Sequence, residues 1–259
     1  MKLLHRTTRN VVLSSDGEAF PPYAREILAQ EDAALAELGR GQAEVSGVLR
    51  FAAPSTFAQL YLMPVVARFQ EAYPKVELDL RLSDTQQDLI EGSFDLALRN
   101  APPHDTSLKG RKLAEDQRIL CASPDYLAAH GVPEGPADLA DHRLIAFQSL
   151  APKRLSGPED GTFGPRASGS RLIVDDGASL REASFAGADF SVNALWSMAR
   201  QIGAGGLARV LPDYTVDYGA ALWLIYPKSN VLTAKVRVFI DFLVDQVGPR
   251  LSGQLTPSP

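Results

Sequence analysis

Catalysis needs particular side chains at particular spacings, and this chain offers few of them. Its four histidines, His5, His104, His130 and His142, fall in an N-terminal arm, a proline loop and two helix-end contexts, with no His-x-x-x-His pair from which a zinc site is built. No Gly-x-Ser-x-Gly elbow, Walker loop or Gly-x-Gly-x-x-Gly occurs, and Gly203-Ala-Gly-Gly206 follows a helical pattern as a turn. Cys121, the single cysteine, stands inside an apolar strand pattern that suits a small buried hydrophobe better than a nucleophile. The sequence therefore asks for no catalytic residue, no metal and no cofactor. What it offers instead is binding chemistry at Ser55 and Thr56, two hydroxyls that follow Gly47-Val-Leu-Arg-Phe-Ala-Ala-Pro54. A buried parallel strand, an extended exit at proline and a hydroxylated helix start form a place where an open α/β sheet holds a small polar ligand. The alternative is that the two hydroxyls only cap a helix.

The elements that must position this stretch alternate. Ser55 to Tyr73 has helical spacing with Pro64 as a break or a fresh start, and Val76–Leu82 alternates apolar and charged residues as a half-exposed strand near an edge. Ser83-Asp84 caps a short helix through Ile90, and Phe94–Asn100 is a third strand parallel to the first two. Lys109 to Ala122 is long enough to cross from one lobe to another. Ser123-Pro124-Asp125 and Gly131 start and stop a helix. Asp138 caps a single turn, Arg143–Phe147 is a strand, and residues 149–170 read as loop or weak hairpin. Leu172–Val174 is a strand, Asp175-Asp176-Gly177 a turn, and Ser179–Ala186 a helix. Leu222–Tyr226 is a buried strand. Thr233 caps a helix with Val236, Phe239, Ile240, Leu243 and Val247 on one face.

Before Gly47 the pattern differs. Val11, Val12 and Leu13 suit a short strand or hairpin arm, and Ser14 or Ser15 starts a helix in which Tyr23, Ile27, Leu28, Ala34, Leu35 and Leu38 form one apolar stripe. A stripe with no partner of its own is most economically covered by a second copy of the chain, so Ile27, Leu28, Leu35 and Leu38 are the candidate dimerisation residues. The net charge of -5 argues against a surface coated for nucleic acid. Residues 1–13 nonetheless carry Lys2, Arg6 and Arg9 with no acid. One cysteine, no signal peptide and no apolar run of spanning length point to a soluble cytoplasmic protein without a membrane partner.

Taken together, these stretches resemble a LysR-type transcriptional regulator. His5-Arg6-Thr7-Thr8-Arg9 with Val12, Leu13, Ser14 and Gly17-Glu18 is similar to the wing of that family's winged helix and the start of its linker helix. Gly47–Ser55 is similar to the first strand of its effector domain, and Pro64, Phe69 and Tyr73-Pro74 match the helix that follows. Gly92–Arg99, Cys121-Ala-Ser-Pro-Asp-Tyr-Leu127 and Lys235–Leu243 resemble its third strand, the start of its second lobe and its closing helix.

The resemblance implies an α/β, two-lobed, periplasmic-binding-protein-like effector domain with hinge strands, behind a wing remnant (1–14) and a linker or dimerisation helix (15–46). The effector domain takes 47–250, with one lobe at about 47–114 and 220–250 and the other at about 115–219, and 251–259 is a tail. It implies a small-molecule effector held by Ser55, Thr56, Ser83, Asn100, Phe147, Gln148, Asp189 and Phe190. Asp189, if it faces the cleft, favours a ligand bearing a donor or a positive group; otherwise it is a solvated turn residue. DNA phosphates are left to His5, Arg6, Thr7, Thr8 and Arg9. The family's helix-turn-helix precedes the wing, whereas Met1 falls inside it, so the expectation is a truncated DNA reader in a homodimer or tetramer. A solute-binding protein and a dimerising antagonist of intact regulators are the competing readings.

Overall fold

The computed structural model describes residues 3–6, 11–17, 20, 23–24, 27, 31, 45–84, 94–100, 107–148, 152–164, 170–216, 220–228 and 232–252. At the N-terminus, β1 (Leu4–Arg6) pairs antiparallel with β2 (Val11–Leu13), Leu4 opposite Leu13. The Ser14 hydroxyl then accepts from the Gly17 N–H at 3.0 Å and so caps the helical turn 15–17; residues 20, 23–24, 27 and 31 are also helical. Phe20, Tyr23 and Ile27 are 38%, 66% and 62% exposed. Thr7, Thr8, Arg9, Leu28, Leu35, Leu38 and the expected helix through Ile90 lie outside the described residues.

Beyond residue 45 the chain builds two lobes, each around a sheet. The first sheet has the order β4 (Val76–Leu82), β3 (Gly47–Ala53), β5 (Leu96–Arg99), β15 (Ala221–Pro227), β6 (Leu108–Glu115). β3 is parallel to both neighbours, and its Leu49, Phe51, Ala52 and Ala53 are buried on both faces, whereas charged β4 takes an edge. After β3 the chain enters α1 (Ser55–Phe57), one π-helical turn over Ala58–Leu62, and α2 (Met63–Ala72). Pro64 stands in the first turn of α2, where its missing N–H costs little, so the winding changes but the helix continues. Phe69 and Phe51 pack edge-on against Phe239 with centroids 4.9 and 5.2 Å apart. Phe239 comes from α6 (Ala234–Gln246), which turns Val236, Ile240 and Leu243 inward with it. Thr233 precedes α6, but its hydroxyl makes no cap bond. A last helix, α7 (Gly248–Ser252), buries Leu251 at 1% exposure, so packing continues through the first residues assigned from sequence to a tail.

β6 crosses through Asp116 and Gln117 into β7 (Arg118–Ala122) of the second sheet. That sheet runs β10 (Gly161–Phe163), β9 (Lys153–Ser156), β14 (Thr215–Val216), β7, β12 (Ser191–Ala194), and β13 (Ala208–Val210) also pairs with β7. α3 (Pro124–His130) starts at Ser123, whose hydroxyl accepts from the Tyr126 N–H, and stops at Gly131 with φ 87°. β8 (Ala146–Phe147) and β11 (Ile173–Val174) pair in parallel and lead toward the first lobe, as does the start of α4 (Gly177–Phe185). α5 (Leu195–Gly203) follows β12. Leu120, Tyr126, Leu139, Phe163 and Phe190 are in this lobe's core. No described helix is long and apolar enough to cross a membrane.

Candidate functional site

Pro54, at φ -58° and ψ 139°, carries the chain out of β3 extended, and no side chain caps α1. Ser55 Oγ instead lies 2.9 Å from Asp84 Oδ2 and 2.8 Å from Asp176 Oδ1. Asp84 follows β4 in the first lobe and Asp176 is the N-cap of α4 in the second, so one hydroxyl joins the lobes. The Gly177 N–H donates to Asp84 Oδ2 at 3.0 Å. Gln148 Nε2 donates to the Asp84 carbonyl at 2.7 Å and to the Asp175 carbonyl at 3.2 Å. Gln148 holds this position at φ 57°, a left-handed conformation uncommon outside glycine. Thr56 is 4% exposed and its hydroxyl has no hydrogen-bond partner among the described residues.

The two carboxyls respond in opposite directions. Burial lifts Asp84; bonds from Gly177 and Ser55 oppose that rise, and the neighbouring Asp176 adds to it. Burial also acts on Asp176, but bonds from the Ser179 N–H, Ser55, the Ser179 hydroxyl and Asp84 outweigh it and hold the carboxyl at about 2. Of the two, Asp84 is the carboxyl pushed toward its protonated form and Asp176 the one pushed toward its charged form.

On the hinge side a second carboxylate is saturated. Asp116, 2% exposed, accepts from Trp196 Nε1 at 2.8 Å on Oδ1. Its Oδ2 accepts from Asn100 Nδ2 at 3.0 Å and from Arg118 Nε and Nη2 at 2.9 and 2.7 Å. The Asp116 N–H donates to the Ala220 carbonyl at 3.0 Å, which ties the two crossing segments together. Trp196 reaches back into the first core against Phe57 and Tyr61, and the Tyr61 hydroxyl donates to its carbonyl at 2.8 Å. Burial pushes Tyr61 up to about 12, with Arg250 opposing.

The structure brings Ser55, Thr56 and Gln148 together and sends other expected site residues elsewhere. Ser83 follows the last residue of β4, and half-buried Phe147 ends β8. Asn100 is held in the hinge by Asp116. Phe190 is 1% exposed in the second core, edge-on to His142. Asp189 lies past the C-terminus of α4, while the N-terminus of that helix meets Ser55; nine residues of helix, about 13 Å, intervene. Burial raises the Asp189 carboxyl, and Arg143, His130 and Arg171 pull it back. The carboxyls that the structure places between the lobes at Ser55 are Asp84 and Asp176.

The sequence marks Asp84 as a helix cap and Asp176 as a turn residue. Their signal was the one that marked Ser55: a polar residue between the end of a strand and the start of a helix. The residues weighed for catalysis have structural partners. His130 stacks on Tyr126 at 4.3 Å, His142 Nδ1 lies 3.3 Å from the Tyr126 hydroxyl, and Cys121 is fully buried against Ser191 and Asn193. Among the described residues no group of three or more His, Cys, Asp or Glu could hold a metal ion.

The family model of the LysR substrate binding domain matches residues 42–248. PtxR of Pseudomonas aeruginosa, an HTH-type transcriptional regulator, is 32% identical over 96% of this chain and 80% of its own length. CrgA, a LysR-type transcriptional regulator from Neisseria meningitidis, has a solved structure that matches with a TM-score of 0.73 at 29% identity, covering 96% of this chain and 84% of that one. The full-length structure of AphB, a virulence activator of Vibrio cholerae, matches with a TM-score of 0.66 at 28% identity, over 95% and 84% of the two chains. Family match, relatives and lobed architecture agree: the chain belongs to the LysR substrate-binding-domain family and is a LysR-type transcriptional regulator.

Proposed function

We propose that the effector of this regulator binds between the lobes at Ser55, Thr56, Asp84, Gln148, Asp176 and Gly177, with Ser83 and Phe147 at the rim. The observation that carries the reading is the polar contact across the cleft, two carboxyls about one serine hydroxyl with the buried Thr56 hydroxyl beside them unpartnered. A seal that served stability alone would be apolar or fully hydrogen-bonded. The chain is a cytoplasmic sensor without catalysis. A ligand that prefers one arrangement of lobes shifts the population toward it and so moves attached DNA-reading elements. The apolar stripe predicted from sequence through Ile27, Leu28, Leu35 and Leu38 pairs with a second copy, and His5, Arg6, Thr7, Thr8 and Arg9 contact DNA phosphates.

Thermal denaturation against a metabolite panel tests the cleft, with Thr56→Ala and Asp189→Ala as paired variants. Thr56→Ala should lose most of any ligand-induced rise in Tm, and Asp189→Ala should keep it. A Thr56→Ala protein that responds like the parent would rule out this location.

A further inference from the structure

The strongest unexplained feature of the cleft is a shortage of protons and positive charge. Three oxygens, Asp84 Oδ2, Ser55 Oγ and Asp176 Oδ1, lie in two contacts of 2.9 and 2.8 Å. The serine hydroxyl has one proton and can donate to only one of the carboxyls. The other short contact needs a proton on a carboxyl or a donor from outside. No lysine, arginine or histidine makes an ion pair with Asp84 or Asp176 among the described residues, and residues 85–93, which follow Asp84, contain none of the three.

A second observation points into the same place. A Cβ on Gly177 would stand 3.0 Å from Thr56 Oγ1 and 3.7 Å from both carboxylate oxygens of Asp84. The Thr56 hydroxyl, without a hydrogen-bond partner among the described residues and on a side chain 4% exposed, thus lies with the Asp84 carboxyl close about the Cα of Gly177. The N-terminus of α4, which would otherwise attract an anion, is already taken: Asp84 accepts from Gly177 and Asp176 from Ser179. A ligand carboxylate entering here would be a further negative group where no cation balances those present.

We propose that the effector carries an organic ammonium group, held between Asp84 and Asp176 with the Ser55 and Thr56 hydroxyls as further acceptors. This rests on the cleft reading above and assigns the ligand's chemical class. An ammonium supplies three donors and a positive charge to a compact set of acceptors, whereas a guanidinium needs a flat, forked face. Placed between the two carboxyls, the ammonium supplies the donor that the second short contact lacks and gives each lobe a charged partner. A divalent metal ion would need about six oxygen ligands, and the described residues contain no group of three or more His, Cys, Asp or Glu for one.

The test is thermal denaturation and titration calorimetry of the full chain at constant ionic strength and neutral pH. The probes are n-butylammonium chloride and putrescine dihydrochloride, against sodium butyrate and n-butanol. The ammonium probes should raise Tm and the other two should not. Asp84→Asn and Thr56→Val should each weaken ammonium binding, roughly tenfold or more for Asp84→Asn, which removes a charged acceptor. Thr56→Val keeps the shape of the side chain and tests the site if Asp84→Asn folds poorly. No response to either ammonium, or an equal response to butyrate or butanol, overturns the ammonium assignment. If butyrate stabilises the parent and Thr56→Val abolishes that effect, the cleft stands and only the ligand class falls. If ammonium stabilises the parent and both variants alike, the cleft reading falls as well.

Discussion

Replacing Asp116 by asparagine tests whether the hinge is held by one buried carboxylate. The carboxylate accepts four bonds, one on Oδ1 from Trp196 and three on Oδ2 from Asn100 and Arg118. An asparagine can offer its single carbonyl oxygen to only one of these groups. If the oxygen keeps Asn100 and Arg118, the amide N–H₂ faces the indole N–H of Trp196, a side chain 6% exposed, and that buried donor is orphaned at a cost of about 1–3 kcal/mol. The charge assistance to Arg118 is lost as well. Breaking a fully buried ion pair costs about 3–5 kcal/mol, but the Arg118 side chain is 24% exposed and water recovers part of that. The expected loss is about 2–4 kcal/mol, or roughly 5–15 °C in Tm for a chain of this size. Urea denaturation at fixed protomer concentration, followed by tryptophan fluorescence, measures it. In a double-mutant cycle with Trp196→Phe the two changes should be non-additive, since they remove the same bond. A loss under about 0.5 kcal/mol, or strict additivity, would refute the reasoning.

Further outcomes follow from the same geometry. Gly177→Ala puts a methyl 3.0 Å from Thr56 Oγ1 at the first position of α4, so it should keep or slightly raise Tm while removing the response to any cleft ligand; a variant that still responds contradicts the placement. Asp176, at about 2, lies below its ordinary 3.8, so its contribution is full above 3.8 and is lost as pH falls toward 2. Asp84 is raised, so its contribution is present below 3.8 and is lost as pH rises through its folded value. Tm recorded against pH should therefore lose its decline on the alkaline side in Asp84→Asn and keep its decline on the acid side. Leu251→Ala should cost about 2–5 kcal/mol by calorimetry, because Leu251 is 1% exposed in the first core; a tail residue would cost nothing measurable. Ile27→Glu at this exposed position should lower the oligomeric mass by light scattering while leaving the effector domain's stability in urea within about 0.5 kcal/mol of the parent.

Much of the fold was legible because its causes are local. Ser123-Pro124 and Gly131 bound α3 through a cap bond, a fixed φ and a left-handed stop, all of which act within a few residues. The inward face of α6 and the alternation of β4 follow from helical and strand periods in the same way. The misreadings are places where packing overrode the local signal. Leu251 found room against the first core beyond the end expected for the domain, and Asn100 was drawn into the hinge by Asp116.

The candidate site divides along the same line. Ser55 and Thr56 could be picked out because the order strand, proline, hydroxyl, helix is written in consecutive residues. By itself the sequence determined the two-lobed α/β class, the strand end that carries those hydroxyls, and the polar residues available to meet them. Only the tertiary structure decided that Asp84 and Asp176 share the Ser55 hydroxyl, that Asn100 serves the hinge, and that the N-terminus of α4, not the Asp189 end, meets the other lobe. The reason is physical: a helix pattern is fixed by contacts three and four residues apart, but which end faces a cleft depends on how two separately packed cores dock across a hinge.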